Sequence, residues 1–574
     1  MMKKLDKLAT VAAPSNSIDQ VVRRMAEESG QVMYPGLAVI LDEKGILLGI
    51  MTDGDIRRAY ARDINFSEPV SEVMTIDPIT IPATIPESDL AAEVIRRVQM
   101  DDRLHSEWIR HVLLVDELGR LVKIVDFLEE LQNQSGLVKK VAIFGMGYVG
   151  LTLAVSLANR GHQVLGVDVN QELVQQLNLG IPHVHEPGLE DMLAINLERN
   201  KIDFGSSLNN QTCQVYIIAV GTPLNSSGEP NLKALNDVLE DISAKLKKGD
   251  QVMLRSTVPV GTTREIVVPY LENKTGLKAG EVFYVSFSPE RTIEGNAMFE
   301  LKNLPQVIGG YSSRCLKNGA DFWSTLTPSI VRMASLEASE LVKLANNTFR
   351  DVSFAFANEL ALIADKYNVD AFALIHGANA GYPRNPISLP SPGVGGYCLT
   401  KDPILFSSTP NGLRSGAVLG LSSRKINVQA ALYPFELMER YAKRFGIPLS
   451  SMNIVIMGVA FKGIPETIDM RDSVAVGLLN VLKERVSKVI GWDAIIEPTE
   501  LESVGFETTN DLRSTIEASD VVLILNNHPE NVRSELYCQP PKQRLLFDGW
   551  GQLDVVEVEK ISGLNYATMG YMTQ

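Results

Sequence analysis

The sequence predicts an α/β chain of 574 residues: two parallel-sheet units joined by a long central helix, behind a smaller α+β unit. Three observations predict it. An apolar strand runs through a glycine turn into a helical stretch twice, at "KVAIFGMGYVG" and "NIVIMGVAFKG". Between them lies a proline-free stretch with apolar residues at three-to-four spacing, "SLEASELVKLANNTFRDVSFAFANELALIADKYNVD". Ahead of both, a strand–turn–strand–helix pattern occurs twice, about 74 residues apart.

Residues 1–135 hold that repeat. "GLAVILDEKGILLGIMTDGDIRRAYA" alternates in "LAVIL" and "ILLGIM", turns at Asp42–Gly45, and opens a helix near Asp53. "RHVLLVDELGRLVKIVDFLEEL" repeats it. The pair resembles a tandem CBS module. Thr52 and Asp55 occupy the T-x-x-D positions at which that family holds the ribose and phosphates of an adenine nucleotide. Asp126 and Glu129 stand at those positions in the second copy. The resemblance implies a regulatory nucleotide site in the first copy; the alternative is a scaffold or dimerisation module.

After the linker "NQSGLVKK", residues 136–330 read as a Rossmann-like unit. Gly145, Gly147 and Gly150 form G-x-G-x-x-G directly after a strand, with Tyr148 and Val149 opening the helix. The first glycine permits the turn, the second admits a pyrophosphate, and the third lets helix and strand pack closely. Asp168 ends the next strand, where a carboxylate meets a ribose 2′-hydroxyl and opposes a 2′-phosphate. NAD is the expected cofactor. Residues 331–445 read as a central helical domain for dimerisation, carrying a Pro/Gly-rich loop at 381–396. Residues 446–574 return to strands and helices as a second Rossmann-like unit.

The net charge of −15 and a pI near 5.1 argue against nucleic-acid binding. The four cysteines (Cys213, Cys315, Cys398 and Cys538) form no CxxC, so a reducing cytoplasm is expected. No secretory leader and no apolar run of about 18 residues is read, so no membrane partner is expected. His183 and His185 alternate in "PHVHEPGL" but are read as part of a loop, and no metal is expected.

The chemistry concentrates around "GVGGYCLTKDP". Cys398 follows a glycine-rich turn and precedes Lys401 and Asp402; a neighbouring cation lowers a thiol's pKa. Lys343 and Asn347 share one face of the long helix and suit a developing oxyanion. Glu290 and Glu294 in "SPERTIEG", and Thr257 in "STVP", follow strand ends, where such folds place ligands.

With "HEPGLE", "VGTPLNSSGEPNL", "STVPVGTT", "ELVKLANNTFRD", "GVAFKGIPETIDMRDS" and "FDGW", these motifs resemble the nucleotide-sugar 6-dehydrogenases over roughly three quarters of the chain. The resemblance implies NAD-dependent, four-electron oxidation of a UDP-sugar C6 alcohol, for surface polysaccharide, by a homodimer or higher oligomer. Cys398 would carry a thiohemiacetal and then a thioester. Lys343 and Asn347 would stabilise oxyanions, Asp402 with Thr257 would assist proton transfer, and Glu290 would serve in hydrolysis. Thr222, Glu294, Lys401 and Arg471 would sit with the cofactor. Lys462 would grip nucleotide phosphates, as would Arg471, and Arg384 would reach the partner subunit's sugar site. Arg291 resembles the N-acetylhexosamine branch, whereas Lys401 resembles the UDP-glucose branch. The leading expectation is a UDP-N-acetylhexosamine substrate. UDP-glucose is the alternative, and an inactive nucleotide sensor is the alternative of another class.

Overall fold

The computed structural model describes residues 8–28, 32, 34, 36–62, 64–76, 78, 80–85, 93, 111–126, 138–327, 329–384, 386–408 and 417–573. The chain divides into two compact units, residues 1–138 and 139–574.

The first unit repeats itself in hydrogen-bonding detail. A sheet of order β1–β2–β3–β4 (Thr10–Ala12, Leu37–Leu41, Leu47–Thr52, Thr75–Ile76) accompanies one of order β5–β6–β7 (Thr80–Pro82, His111–Val115, Leu121–Asp126). Leu37 pairs with Thr52 and His111 with Asp126, and each hairpin has one register shift, at Ile40/Leu41 and at Leu114/Val115. Asp42 accepts the N–H groups of Lys44 and Ile46 through its side chain, and Asp116 those of Leu118 and Arg120. Val39 and Leu41 share one apolar cluster with Leu113 and Ile124. Glu129 lies outside the described residues.

The second unit contains two sheets. The larger has the order β10–β9–β8–β11–β12–β13–β14–β15: Ile202–Gly205, Gln163–Val167, Lys140–Phe144, Val215–Ile218, Gln251–Leu254, Tyr284–Phe287, Gln306–Gly310 and Ile330–Arg332. All its pairings are parallel except β13 with β14. The smaller has the order β17–β16–β18–β19–β20–β21: Lys488–Trp492, Asn453–Met457, Val521–Ile524, Arg544–Asp548, Leu564–Thr568 and Tyr571–Met572. Strand β8 lies between β9 and β11, and β16 between β17 and β18. Strand order reverses at those points, which opens a crevice beyond the carboxyl ends of the strands.

Four helices position the site: α1 (Tyr148–Asn159), α2 (Leu336–Lys366), α3 (Tyr397–Ser408) and α4 (Val418–Phe445). The Ser335 side chain accepts the Ala338 N–H and caps α2, with Glu337 in its first turn and Lys366 in its last. The helical pattern to about Tyr382 is split by Tyr367–Asp370, where Asn368 takes φ 52°, before the short helix Ala371–Asn379. Asparagine tolerates that left-handed backbone, and no proline or glycine announces the break.

His162 is buried beside Phe322. Its Nδ1 accepts the Lys139 N–H at 3.1 Å, and its Nε2 lies 2.9 Å from the Thr325 hydroxyl. Burial pushes its pKa from 6.5 down to about 4. The unfolded chain then binds the extra proton between those values, so stability falls as pH drops through that window. The full effect is about 3 kcal/mol by linkage. Melting curves from pH 7 to 4.5 should show this loss, and His162→Gln should flatten it.

Candidate functional site

A cleft of about 1170 Å³ runs along the reversal edge of the larger sheet to the loops of the smaller one. Its first wall is the turn between β8 and α1. Gly145 has φ 90°, and a Cβ there would lie 2.9 Å from Val220 Cα. A Cβ on Gly150 would lie 1.8 Å from the Gly145 carbonyl oxygen, whereas one on Gly147 would meet nothing within 4 Å. The three glycines thus divide as the sequence implies: a tight turn, an open cradle and a close helix–strand contact. Asp168 Oδ2 accepts the Met146 N–H at 2.7 Å and Oδ1 that of Asn170 at 3.0 Å, which holds the carboxylate beside the turn. Tyr148, Val149 and Asp168 line the cleft. This donor set fits NAD.

Cys398 is the second residue of α3 and opens into the cleft at its helical N-terminus. The sequence reading expected Lys401 to depress its pKa. Instead burial pushes the thiol up, Lys343 and Lys401 pull it down, and Asp402 and Glu294 add to the rise; the net direction is upward. The reason is local. Lys401 Nζ donates to Asp402 Oδ1 at 2.8 Å, so much of its charge is already countered. Asp402 is wholly buried, and its Oδ2 accepts from Asn347 Nδ2 at 2.6 Å. Lys343, one turn before Asn347, lines the cleft.

Glu290 also reaches the cleft wall, but both its oxygens are engaged. Oε2 accepts from Nε of Arg255 at 2.9 Å and from that guanidinium's Nη2. Oε1 accepts the N–H groups of Arg291 at 2.6 Å and Thr292 at 2.7 Å. Burial opposes ionisation, yet Arg255, the Thr292 N–H and Lys343 outweigh it and hold the carboxyl below its usual range. Both oxygens are thus engaged, and a carboxylate held this way makes a weak base. Arg255 also lies over the Trp323 ring at 4.8 Å.

The other expected residues divide between the cleft and its surroundings. Arg291, Glu294, Lys462 and Arg471 line the cleft. Lys462 Nζ donates to the Glu294 carbonyl at 2.7 Å, Thr467 to its carboxylate at 3.1 Å, and Arg471 is paired with Asp469. Thr222 donates to the Thr257 carbonyl behind the cleft surface, and neither lines it. Arg384 is exposed, stacks on Tyr382 at 5.5 Å, and lies away from this cleft.

Sequence reasoning missed the residues that join these parts. Buried Glu186, from the quoted "HEPGLE", accepts the Tyr148 hydroxyl and the N–H groups of Gly295 at 2.9 Å and Met298 at 3.1 Å. It ties the glycine turn to the "SPERTIEG" loop. Asp351 is fully buried and accepts from Arg424 at 2.7 Å, Ser423 at 2.6 Å and Asn427 at 2.8 Å. Asn427 accepts from Asn358, whose own carbonyl oxygen takes the Ser391 N–H at 2.8 Å. This chain of bonds fixes α2, α4 and the loop leading to Cys398. Asp351's neighbours in sequence give no sign of it, because these side-chain partners are all more than 65 residues away.

Fold and cleft together define an NAD-dependent oxidoreductase. Residues 139–327 match the UDP-glucose/GDP-mannose dehydrogenase family NAD binding domain, 337–429 its central domain and 455–555 its UDP binding domain. The chain belongs to that family and is an NAD-dependent nucleotide-sugar dehydrogenase. Residues 7–62 match a CBS domain. The chain is similar to UDP-N-acetyl-D-mannosamine dehydrogenase from Pyrococcus horikoshii: 32% identical over 413 residues, 71% of this chain and 95% of that one. A solved UDP-D-ManNAc dehydrogenase structure from the same organism aligns at TM-score 0.67 and 30% identity, covering 75% of this chain and 99% of the other. A UDP-glucose dehydrogenase from Pyrobaculum islandicum aligns at TM-score 0.64 and 26% identity, covering 76% and 98%. Among the described residues no helix is long and apolar enough to cross a membrane.

Proposed function

We propose that the chain oxidises the C6 hydroxyl of a UDP-N-acetylhexosamine, of gluco or manno configuration, to a carboxylate for surface polysaccharide. The observation that carries this reading is the free Cys398 thiol opening into the same cleft as the glycine turn and Lys343. The similarity to UDP-N-acetyl-D-mannosamine dehydrogenases supports the sugar class.

Bound NAD supplies a hydride acceptor for each of the two oxidations. Loss of hydride and the hydroxyl proton turns C6 into an aldehyde. Cys398 Sγ, as thiolate, forms a bond to that carbon. Lys343 Nζ and the remaining Asn347 N–H stabilise the resulting oxyanion. Loss of the second hydride leaves a thioester. Attack by water forms the C–O bond and breaks the C–S bond; one proton returns to the thiolate and the other leaves to solvent. Asp402, held by Lys401, fixes Asn347 and sets the field at the thiol. Glu290 anchors Arg255 and the Arg291–Thr292 turn. Lys462 and Arg471 face the substrate's nucleotide end.

Counting NADH formed per sugar with purified protein tests this. Two per UDP-N-acetylhexosamine is the expected result. One per sugar would remove the thioester stage. Two per UDP-glucose would keep the chemistry and move the sugar, the reading that Lys401 favours.

Two accessory proposals stand beside it. Thr52 and Asp55 bind an adenine nucleotide that alters the rate. Asp55 is buried and already accepts from the Thr52 N–H and hydroxyl, Arg58 and Thr75, so a ribose must displace one of these donors. ATP, ADP and AMP without effect on wild type would leave the scaffold reading. The chain also forms a homodimer through α2 and α4, which expose Phe356, Ile363, Leu421 and Val428 at seven-residue intervals. Sedimentation of the purified protein reads that directly.

A further inference from the structure

The residues on both sides of Cys398 meet one segment, the loop that follows β16 and runs to Ser473. That loop is closed on itself by the Phe461 N–H, which donates to the Asp469 carbonyl at 3.0 Å. A Cβ on Gly395 would lie 2.6 Å from the Asp472 carbonyl oxygen, and one on Gly396 2.7 Å from the Phe461 ring, so the backbone ahead of Cys398 passes directly against the loop. Arg471 stacks on the Tyr397 ring at 5.2 Å. Past Cys398, Thr400 Oγ1 donates to Asp472 Oδ2 at 3.0 Å. The Gly396 carbonyl of the same turn lies equally close to that hydroxyl, but a carboxylate is the stronger acceptor. Asp472 stands at the end of the loop with φ 52°, a left-handed backbone that aspartate adopts more readily than most residues. Ser473, next in the chain, is buried, caps the helix Val474–Leu482 and donates to the Val459 carbonyl at 2.5 Å, which anchors Asp472 from behind.

Neither Thr400 nor Asp472 lines the cleft, so neither reaches the reacting atoms, and what they do to the chemistry passes through Cys398. We propose that Thr400 and Asp472 are positioning residues, whose hydrogen bond docks the first turn of α3 on this loop and so places Cys398 Sγ for attack on the aldehyde. Cys398 stands between Tyr397 and Thr400 in that turn, so a shift of the turn carries the thiol with it. A displacement of about 1 Å is enough to slow a reacting group by up to about 100-fold. The first oxidation does not use the thiol and is indifferent to its position. The proposal rests on the reading of Cys398 as the nucleophile.

Rapid mixing of the full-length protein with NAD and the UDP-sugar that it turns over separates the two hydride transfers. Thr400→Val and Asp472→Gly each remove the bond, and glycine keeps the left-handed backbone without steric strain. In variants that melt as wild type does, each change should slow the second NADH by about 10-fold and leave the first at its wild-type rate. The double variant should be no slower than either single one, because the same bond is missing from all three. Thr400→Ser keeps the hydroxyl and should restore the second rate. Equal slowing of both transfers would mean general loosening and would overturn the proposal. A wild-type second transfer in both single variants, or losses that multiply in the double one, would overturn it too. Cys398→Ala tells this failure from that of the underlying reading. If it forms both NADH at the wild-type rate, the nucleophile reading falls and the proposal with it. If it stops after one NADH while Thr400→Val and Asp472→Gly behave as wild type, the positioning pair alone is wrong.

Discussion

Cys398→Ala is expected to stop the reaction after its first half. Nothing in the first oxidation needs the thiol, because the carbon gives up a hydride and its hydroxyl a proton, and neither bond involves sulfur. The second hydride must leave a tetrahedral carbon bearing an oxyanion, and the thiol supplies the covalent bond that creates it. Cys398 is suited to this because it opens into the cleft at the start of α3, where the helix N-terminus favours a thiolate. Its three companions, Cys213, Cys315 and Cys538, are absent from the cleft lining. Steady-state turnover should fall by on the order of 10³-fold or more, as when a nucleophile is deleted. A rapid-mixing experiment should still show the first hydride transfer. Mass spectrometry of quenched wild-type enzyme should find the sugar attached to the peptide containing Cys398. A variant that forms two NADH per sugar near the wild-type rate would take the cysteine out of the mechanism.

The contrast between this residue and Glu290 shows what a sequence exposes and what it conceals. Cys398, Lys343, Asn347 and the G-x-G-x-x-G turn were legible because each signal is local. A glycine spacing reports a backbone path, and an i, i+4 pair reports a helix face. The repeat in the N-terminal unit was legible for the same reason, since a hairpin's register follows from its own residues. Glu290 looked like a free carboxylate at a strand end. Its state is set by Arg255, which lies 35 residues earlier and meets it only because β12 and β13 are adjacent. The raised thiol pKa was hidden likewise. Lys401 is visible beside Cys398 in sequence, but its direction toward Asp402, and the burial around both, belong to the packing of α2 against α3. Glu186 and Asp351 act wholly through such distant contacts.

That packing makes the charge on Asp402 the strongest lever on the nucleophile. Asp402 is wholly buried between Lys401 Nζ and Asn347 Nδ2. Asp402→Asn preserves shape but leaves Lys401 buried without a counter-charge, a loss of about 3–5 kcal/mol for a broken buried pair. Because the chain has more than one unit, that loss is best followed as the melting of the unit that contains the cleft. The effect on Cys398 has the opposite sense. Asp402 is one of the groups that raise the thiol's pKa, so removing its charge lowers that pKa. The pH midpoint for iodoacetamide alkylation of Cys398 should therefore shift down, making the thiol more reactive at neutral pH. Turnover should nevertheless fall, because Asn347 loses the acceptor that aims it. Lys343→Met removes a charge that pulls the thiol down, so its alkylation midpoint should move up. Opposite shifts from two substitutions in one cleft cannot arise from general loosening, which would move both the same way. Midpoints that stay at the wild-type value in both variants would mean that burial alone sets the thiol, with Lys343 and Asp402 acting only on the substrate.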